Sequence, residues 1–456
     1  MNPRELWYKS VKLRGVVHTT LNPEGPGNVR IHMIPPKLSL KANPCVVILN
    51  GQDIIPINLS WAILLAVFIE EVNNYDGKEI REDDMQGIVR RTIDKVKKIY
   101  RKVPKKELQK DLKRIVSALC DIAYGNEPKE QIGYMTMGEY EPYMTAPHRM
   151  DLMVSSMKKH GHWNCNQKCL HCYACGQKQA EVQELSTDDW KRIIDKCRNA
   201  RIPQLTFTGG EPTMRKDLVE LIEYSKWFVT RLNTNGVLLT ESLCEKLYDA
   251  SLDSVQITLY SHNSQVHNAL VGVKKFDSTV KGIQNAVKSG LNVSINTPLC
   301  TMNKDYVETL KFIKSLGINY VSCSGLIVTG NATKEESKVT QLSEYELYKI
   351  LQDACDYCTE NHIEIAFTSP GWVTEEKLRD LGLVVPSCGA CLSNMAISPD
   401  GKVIPCQSWL NGEVLGNMLK DDWKKIWNNL KCVEKRKFSA KMEQKCPLRA
   451  MNSEVK

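Results

Sequence analysis

The 456-residue sequence contains no long hydrophobic run. Its longest, Trp61-Ala-Ile-Leu-Leu-Ala-Val-Phe-Ile69, is far short of the roughly 20 apolar residues that a membrane helix needs. A secretory signal is also missing, because Met1 to Lys12 is polar and charged. Neither sign of charge dominates; the net charge of +8 alone says little. The one strongly basic stretch, Arg90 to Arg114, holds twelve Lys/Arg against Asp94, Glu107 and Asp111. Only Tyr100 is interleaved there, which disfavours a base-stacking nucleic-acid platform. The stretch reads as a solvated helix pair or as a docking face for an acidic peptide. These absences leave a soluble, cytoplasmic chain, and a 42% hydrophobic content is ample for two or three domains.

Cysteine, by contrast, is plentiful, with 17 residues. Clustered thiols in a long chain without a secretory signal point to a reducing compartment and to metal chemistry. Four lie within residues 165–175, and Cys165, Cys169 and Cys172 are spaced CxxxCxxC. Three thiolates on one tight loop suit a multi-iron cluster. Cys169, Cys172 and Cys175 also read as CxxCxxC, so a four-thiolate ferredoxin site or a zinc site of two CxxC pairs competes. Further on, Gln204-Leu-Thr-Phe-Thr-Gly-Gly-Glu-Pro212 is an apolar strand ending in GGEP. Its glycines allow close backbone approach to a ligand, and its carboxylate can pair with an ammonium.

The remaining pattern divides the chain. Short extended segments at Arg30–Ile34, Cys45–Leu49 and Asp53–Ile57, with an Asn50-Gly51 turn, precede three helices. The first helix covers Trp61–Val72 with Ser60 as its cap, and the others run over about 83–101 and 105–124. After a linker, strands and helices alternate. Strands are predicted at Asp151–Met157, 204–208, Val229–Thr234, Ser254–Leu259, Asn292–Pro298 and Asn319–Val328. Helices are predicted at 187–200, 216–228, 240–250, 278–289 and 304–316. Six βα repeats imply a parallel sheet with its site at the strand C-termini.

CxxxCxxC followed by GGEP resembles the radical S-adenosylmethionine (SAM) superfamily, with His171 in the aromatic slot of its CxxxCxΦC signature and Tyr173 next to it. The resemblance implies an α/β fold, a partial (β/α)6 barrel. It implies Cys165, Cys169 and Cys172 as ligands of a [4Fe-4S] cluster with one open iron. Gly209, Gly210, Glu211 and Pro212 would hold SAM, with Asn235, Ser261, Asn296 and Tyr173 as further contacts. Each of Asn235, Ser261 and Asn296 is equally readable as an ordinary strand-end cap. Reductive cleavage of SAM to a 5′-deoxyadenosyl radical is the implied chemistry, and Cys175 is a bystander.

Near the other end, Cys388, Cys391, Gly401 and Cys406 frame a Pro-Asp-Gly hairpin. This resembles the opening of a SPASM domain, the auxiliary-cluster extension of peptide-modifying radical SAM enzymes. It implies Cys388, Cys391 and Cys406 as ligands of one auxiliary [4Fe-4S] cluster, with Cys446 as fourth ligand and Cys432 as runner-up. The dense cysteine run of a full SPASM domain is missing, which favours a shortened, Twitch-type extension with a single cluster; a zinc ribbon is the alternative. Cys355 and Cys358 read as core thiols. Cys323 reads as core packing or, if it faces the cavity, as a hydrogen-atom donor.

Residues 1–125 resemble the winged-helix-like α+β peptide-recognition module attached to many such enzymes. The expected layout is this domain, a linker over 126–149, the radical SAM core over 150–370 and the auxiliary domain over 371–456. The implied substrate is a ribosomally made precursor peptide, the implied product a thioether, a carbon–carbon crosslink or an epimerised residue. The implied electron donor is a flavodoxin or ferredoxin. A radical SAM enzyme of small-molecule or tetrapyrrole biosynthesis and a non-catalytic iron–sulfur electron carrier remain alternatives.

Overall fold

A computed structural model describes residues 17–21, 29–34, 44–75 and 80–452; the polar segment Met1 to Lys12 lies outside them. The chain forms two compact units, residues 1–146 with 198–203, and residues 147–197 with 204–456.

The first unit is an antiparallel sheet followed by three helices. Strands Val17–Leu21, Val29–Ile34, Cys45–Leu49 and Asp53–Ile57 pair in chain order. The last three match the predicted extended segments, and the first is an additional strand. The Asn50-Gly51 turn forms as its residues require, with both at positive φ (49° and 69°) and Gln52 N bonded to Leu49 O. Helices Leu59–Asn73, Glu82–Lys97 and Lys105–Ala123 close over the sheet. Asn58, not Ser60, caps the first of them: its Oδ1 accepts from Trp61 N at 2.9 Å and from Ser60 Oγ. Val47, Leu49, Ile55, Ile63, Leu65 and Leu119 belong to one fully buried core. The basic stretch is partly neutralised. Glu71, buried beneath the helices, pairs with Arg91 and Lys95, and Lys105 pairs with Asp94. Burial pushes the Glu71 carboxyl up, but hydrogen bonds and charge from Lys95 and Arg91 outweigh it and hold the group below its usual range.

The second unit is built on a ten-stranded sheet. Strands Arg149–Ser155, Gln204–Gly209, Val229–Thr234, Ser254–Thr258, Val293–Pro298 and Tyr320–Ser324 run parallel in sequence order, matching the predicted series. A seventh parallel strand, Glu364–Phe367, extends it beyond six. It is four residues long and begins on an exposed glutamate, too short for a pattern to register. Helix 216–228 shortens to Leu218–Tyr224, and an unforeseen helix, Ser264–Val271, follows the fourth strand. On the other side, Asn394–Ile397 pairs in parallel with Arg149–Ser155 and antiparallel with Lys402–Ile404. The hairpin around Pro399-Asp400-Gly401 therefore continues the barrel sheet. Gly401 N closes that turn on Ser398 O.

Candidate iron–sulfur and cofactor site

The cysteine loop sits at the C-terminal end of the first parallel strand and is pinned from several sides. Lys168 N and Leu170 N donate to Val271 O and Leu270 O, the free carbonyls at the end of helix Ser264–Val271. Asn331 N donates to Cys172 O and Asn331 Nδ2 to Cys169 O. Ser337 Oγ donates to Leu170 O. Gly330, at φ 58°, lies so close that a Cβ there would be 2.4 Å from Tyr173 O and 2.5 Å from Cys172 O. None of these partners carries a motif. Their only signal in the sequence is position, beyond the ends of the fourth and sixth strands.

Cys165, Cys169 and Cys172 are brought together and influence one another electrostatically. Burial, followed by the charges of Glu211 and Cys172, pushes the Cys165 thiol up to about 12. Burial and the two neighbouring thiols push Cys169 well above its usual range. Cys175 stands on the same loop, half-buried. His171 Nε2 lies 2.8 Å from Thr340 Oγ1, which itself donates to Ser337 O. The imidazole therefore carries its proton on Nε2, and burial holds it down to about 4. Tyr173 is flanked by both cysteine sites. Burial raises its phenol, the charges of Cys172, Asp151 and Cys406 add to this, and a hydrogen bond with Thr208 opposes it.

The GGEP segment meets this loop. Gly210 N donates to Ser155 O at 3.0 Å, and Gly209 adopts φ 135°, where a Cβ would be 2.3 Å from Ser155 O. Pro212 starts a short helical turn capped by Glu211. The Glu211 carboxylate is 2% exposed and accepts from Thr213 N, Thr213 Oγ1, Thr234 Oγ1 and Asn235 N. Burial still raises it, and those hydrogen bonds only partly offset the cost. Oε2 takes only the Asn235 N–H, at 2.8 Å, which leaves that oxygen able to accept again. Asn235 Nδ2 donates to Asn166 Oδ1. Ser261 is fully buried and its Oγ accepts from Asn263 N at 3.0 Å, acting as a loop cap. Asn296 faces the sheet interior, where its Oδ1 accepts from Ser322 Oγ. Cys323 occupies the opposite face from Ser322, buried with Tyr306, Cys355 and Cys358, and packs under the helices.

At the hairpin, Cys388, Cys406 and Cys446 surround Ala390, Trp409 and Leu448. Burial pushes Cys406 up to about 12, with added charge from Cys388, Cys446 and Asp151. Cys391, at φ 59°, feels Cys406 and hydrogen-bonds Cys432. The hydrogen bond from Cys391, with Arg436 Nη1 3.6 Å from the sulfur, holds the Cys432 thiol below its usual range against the cost of burial. Five thiols thus gather where four were expected.

Among the described residues, no three His, Cys, Asp or Glu side chains converge as around a single metal ion. The fit for iron–sulfur clusters rests instead on donor type and charge. Each group holds soft thiols whose mutual repulsion a positively charged centre would relieve. The Asn166 Nδ2 and Gln167 Nε2 donors beside the first group are buried without partners.

The comparisons agree with this geometry. Residues 164–316 match the family model of the radical SAM superfamily, and residues 388–448 match that of the SPASM iron-sulfur cluster-binding domain. The chain is similar to an AdoMet-dependent heme synthase of Methanosarcina barkeri, 28% identical over 300 residues (62% of this chain, 84% of that protein). It is similar to a probable GTP 3′,8-cyclase of Saccharolobus islandicus, 29% identical over 253 residues (53% of this chain, 79% of that protein). Its fold is similar to Streptococcus suis SuiB bound to precursor peptide SuiA, with a TM-score of 0.57 at 16% identity over 86% of this chain and 87% of that one. A radical SAM domain takes a [4Fe-4S] cluster and SAM, and a SPASM domain takes auxiliary iron–sulfur clusters. No helix among the described residues is long and apolar enough to cross a membrane. The chain is a radical SAM enzyme with a SPASM extension.

Proposed function

We propose that this enzyme modifies a ribosomally made peptide, with the first unit as the recognition domain. Cys165, Cys169 and Cys172 hold the SAM-binding cluster, and Cys388, Cys391, Cys406 and Cys446 hold one auxiliary cluster. When bound, SAM and its cluster would supply the radical chemistry, a 5′-deoxyadenosyl radical able to take a hydrogen atom from the substrate. The protein's own part is to orient and to exclude water. Glu211 Oε2 would accept from the amino group of SAM, the GGEP backbone would help to hold it, and Asn235 locks the strand end to the cysteine loop. A flavodoxin or ferredoxin supplies electrons.

The observation that carries the peptide reading is the reach of the likeness to SuiB. The second unit is about two thirds of the chain, so a match over 86% extends into the first. The sheet of that unit can accept an extended peptide by strand addition at one edge. Strand Asp53–Ile57 is a poor acceptor: Pro56 has no N–H, and Ile54 O, of the same parity, already accepts from Met135 N. A leader would pair along Val17–Leu21, the opposite edge. Exposed lysines and arginines of the two basic helices would favour acidic leader residues, an attraction that weakens as salt shortens the ~10 Å screening length of 0.1 M.

The heme synthase and cyclase relatives favour a second reading, a tetrapyrrole or other small-molecule substrate. The test is turnover by anaerobically reconstituted holoprotein with SAM and a reductant. It is offered the peptides encoded by short reading frames beside the gene and, separately, iron coproporphyrin. Loss of hydrogen from a peptide, or a D-residue in it, supports the proposal. Turnover of the porphyrin alone refutes it.

A further inference from the structure

The parallel sheet of the second unit has two unlike faces. Register places Met150, Leu205, Leu232, Val255 and Val293 along one face, against the helices. On the other face the same register aligns Asp151, Thr206, Arg231 and Ser254, and then Asn233 with Gln256. Near the strand ends, Asn296 and Ser322 continue this polar face. A buried parallel sheet is ordinarily apolar on both sides.

Some of these groups satisfy each other. Gln256 Nε2 donates to Ser322 Oγ at 3.2 Å, and Ser322 Oγ to Asn296 Oδ1 at 3.0 Å. Others are left over. Thr206 is 1% exposed and its Oγ1 has no partner, and Asn233 Oδ1 is buried without one. Such groups cost stability unless a ligand satisfies them. The charges are also uneven. Asp151 pairs with Arg149 at 2.8 Å, while among the described residues the Arg231 side chain makes one hydrogen bond, from Nε to Ser254 Oγ at 3.3 Å. Among the described residues no carboxylate forms an ion pair with Arg231. Burial, then the charge of Arg149, holds its guanidinium below the usual range, and the charges of Tyr320 and Asp151 offset this only in part. The remaining acid of this layer, Glu364, is exposed at the start of the edge strand and acts on Tyr320.

We propose that Arg231 and Thr206 form an anion subsite on the polar face of this sheet and receive a carboxylate of the substrate, with Ser254 orienting the guanidinium. The inference rests on the radical SAM reading of this unit. A planar guanidinium fork matches a carboxylate in a bidentate pair. Arg231 precedes Thr234, the Glu211 partner, by three residues of strand, which is about 10 Å.

The test is isothermal titration of the reconstituted holoprotein with succinate and, separately, with inorganic phosphate. Saturable binding of one succinate per chain, weakened at least tenfold in Arg231→Gln and less in Arg231→Lys, supports the subsite. A smaller weakening in Thr206→Val supports it independently of the arginine variants. Absence of succinate binding to the wild type, or equal binding by wild type and Arg231→Gln, overturns it. Tighter binding of phosphate than succinate overturns the assignment to a carboxylate. Failure of the underlying reading is separately visible: wild-type protein that binds succinate yet forms no 5′-deoxyadenosine from SAM retains the subsite and loses the radical chemistry.

Discussion

Asn235 donates its Nδ2 to Asn166 Oδ1 at 2.6 Å, which joins the end of the third parallel strand to the residue after Cys165. Asn235 N also donates to Glu211 Oε2 at 2.8 Å. One residue thus couples the cysteine loop to GGEP. Asn235→Ala should cost about 1 kcal/mol of stability and weaken SAM binding. Asn166→Ala should weaken SAM binding by less. If the pair acts as a unit, the double variant should bind no worse than Asn235→Ala; additive losses in equilibrium titration would show that the two act separately.

Gly330 packs against the cysteine loop at a left-handed φ of 58°. Gly330→Ala brings a Cβ into the carbonyls of Tyr173 and Cys172 and should displace them, at a cost of about 1–3 kcal/mol. Iron per chain and anaerobic denaturation should both fall. Retention of both at wild-type values would show that the loop yields freely.

Cys446→Ser should strip the auxiliary iron, whereas Cys432→Ser should retain it while exposing Arg436 to a lost partner. Iron analysis and EPR of the reduced proteins separate the two. The reverse result would make Cys432 the ligand.

His267 is fully buried between Tyr260 and Phe276, and its Nδ1 accepts from Tyr260 N. Burial lowers it from 6.5 to about 4. The unfolded chain takes up the proton first as the pH falls, so the stability due to the neutral ring is complete above 6.5. It is lost between 6.5 and about 4, a contribution of order 3 kcal/mol. His267→Gln should flatten the pH dependence of melting in that window. Parallel curves for the two proteins would contradict this.

The alternation of apolar strands and amphipathic helices made the parallel core legible, because buried strands and helix periods are local patterns. The three cluster cysteines and GGEP were legible because their chemistry depends on short spacings. Helix Ser264–Val271 was not, since its eight residues carry a weak period, yet its last carbonyls hold the cysteine loop. Gly330, Asn331 and Thr340 were invisible for a different reason: they reach the loop from more than 150 residues away, and no local pattern encodes such a contact. Arg231 emerged only from register, which shows the face that a residue shares across strands.

The most direct test is 5′-deoxyadenosine formation from SAM by the reduced, reconstituted protein, measured with its iron content. The wild type should form 5′-deoxyadenosine and hold about eight irons, four for each of two clusters. With Cys165, Cys169 and Cys172 all changed to Ala, about four irons should remain and no 5′-deoxyadenosine should form. Continued cleavage of SAM by that variant would contradict the assignment of the site.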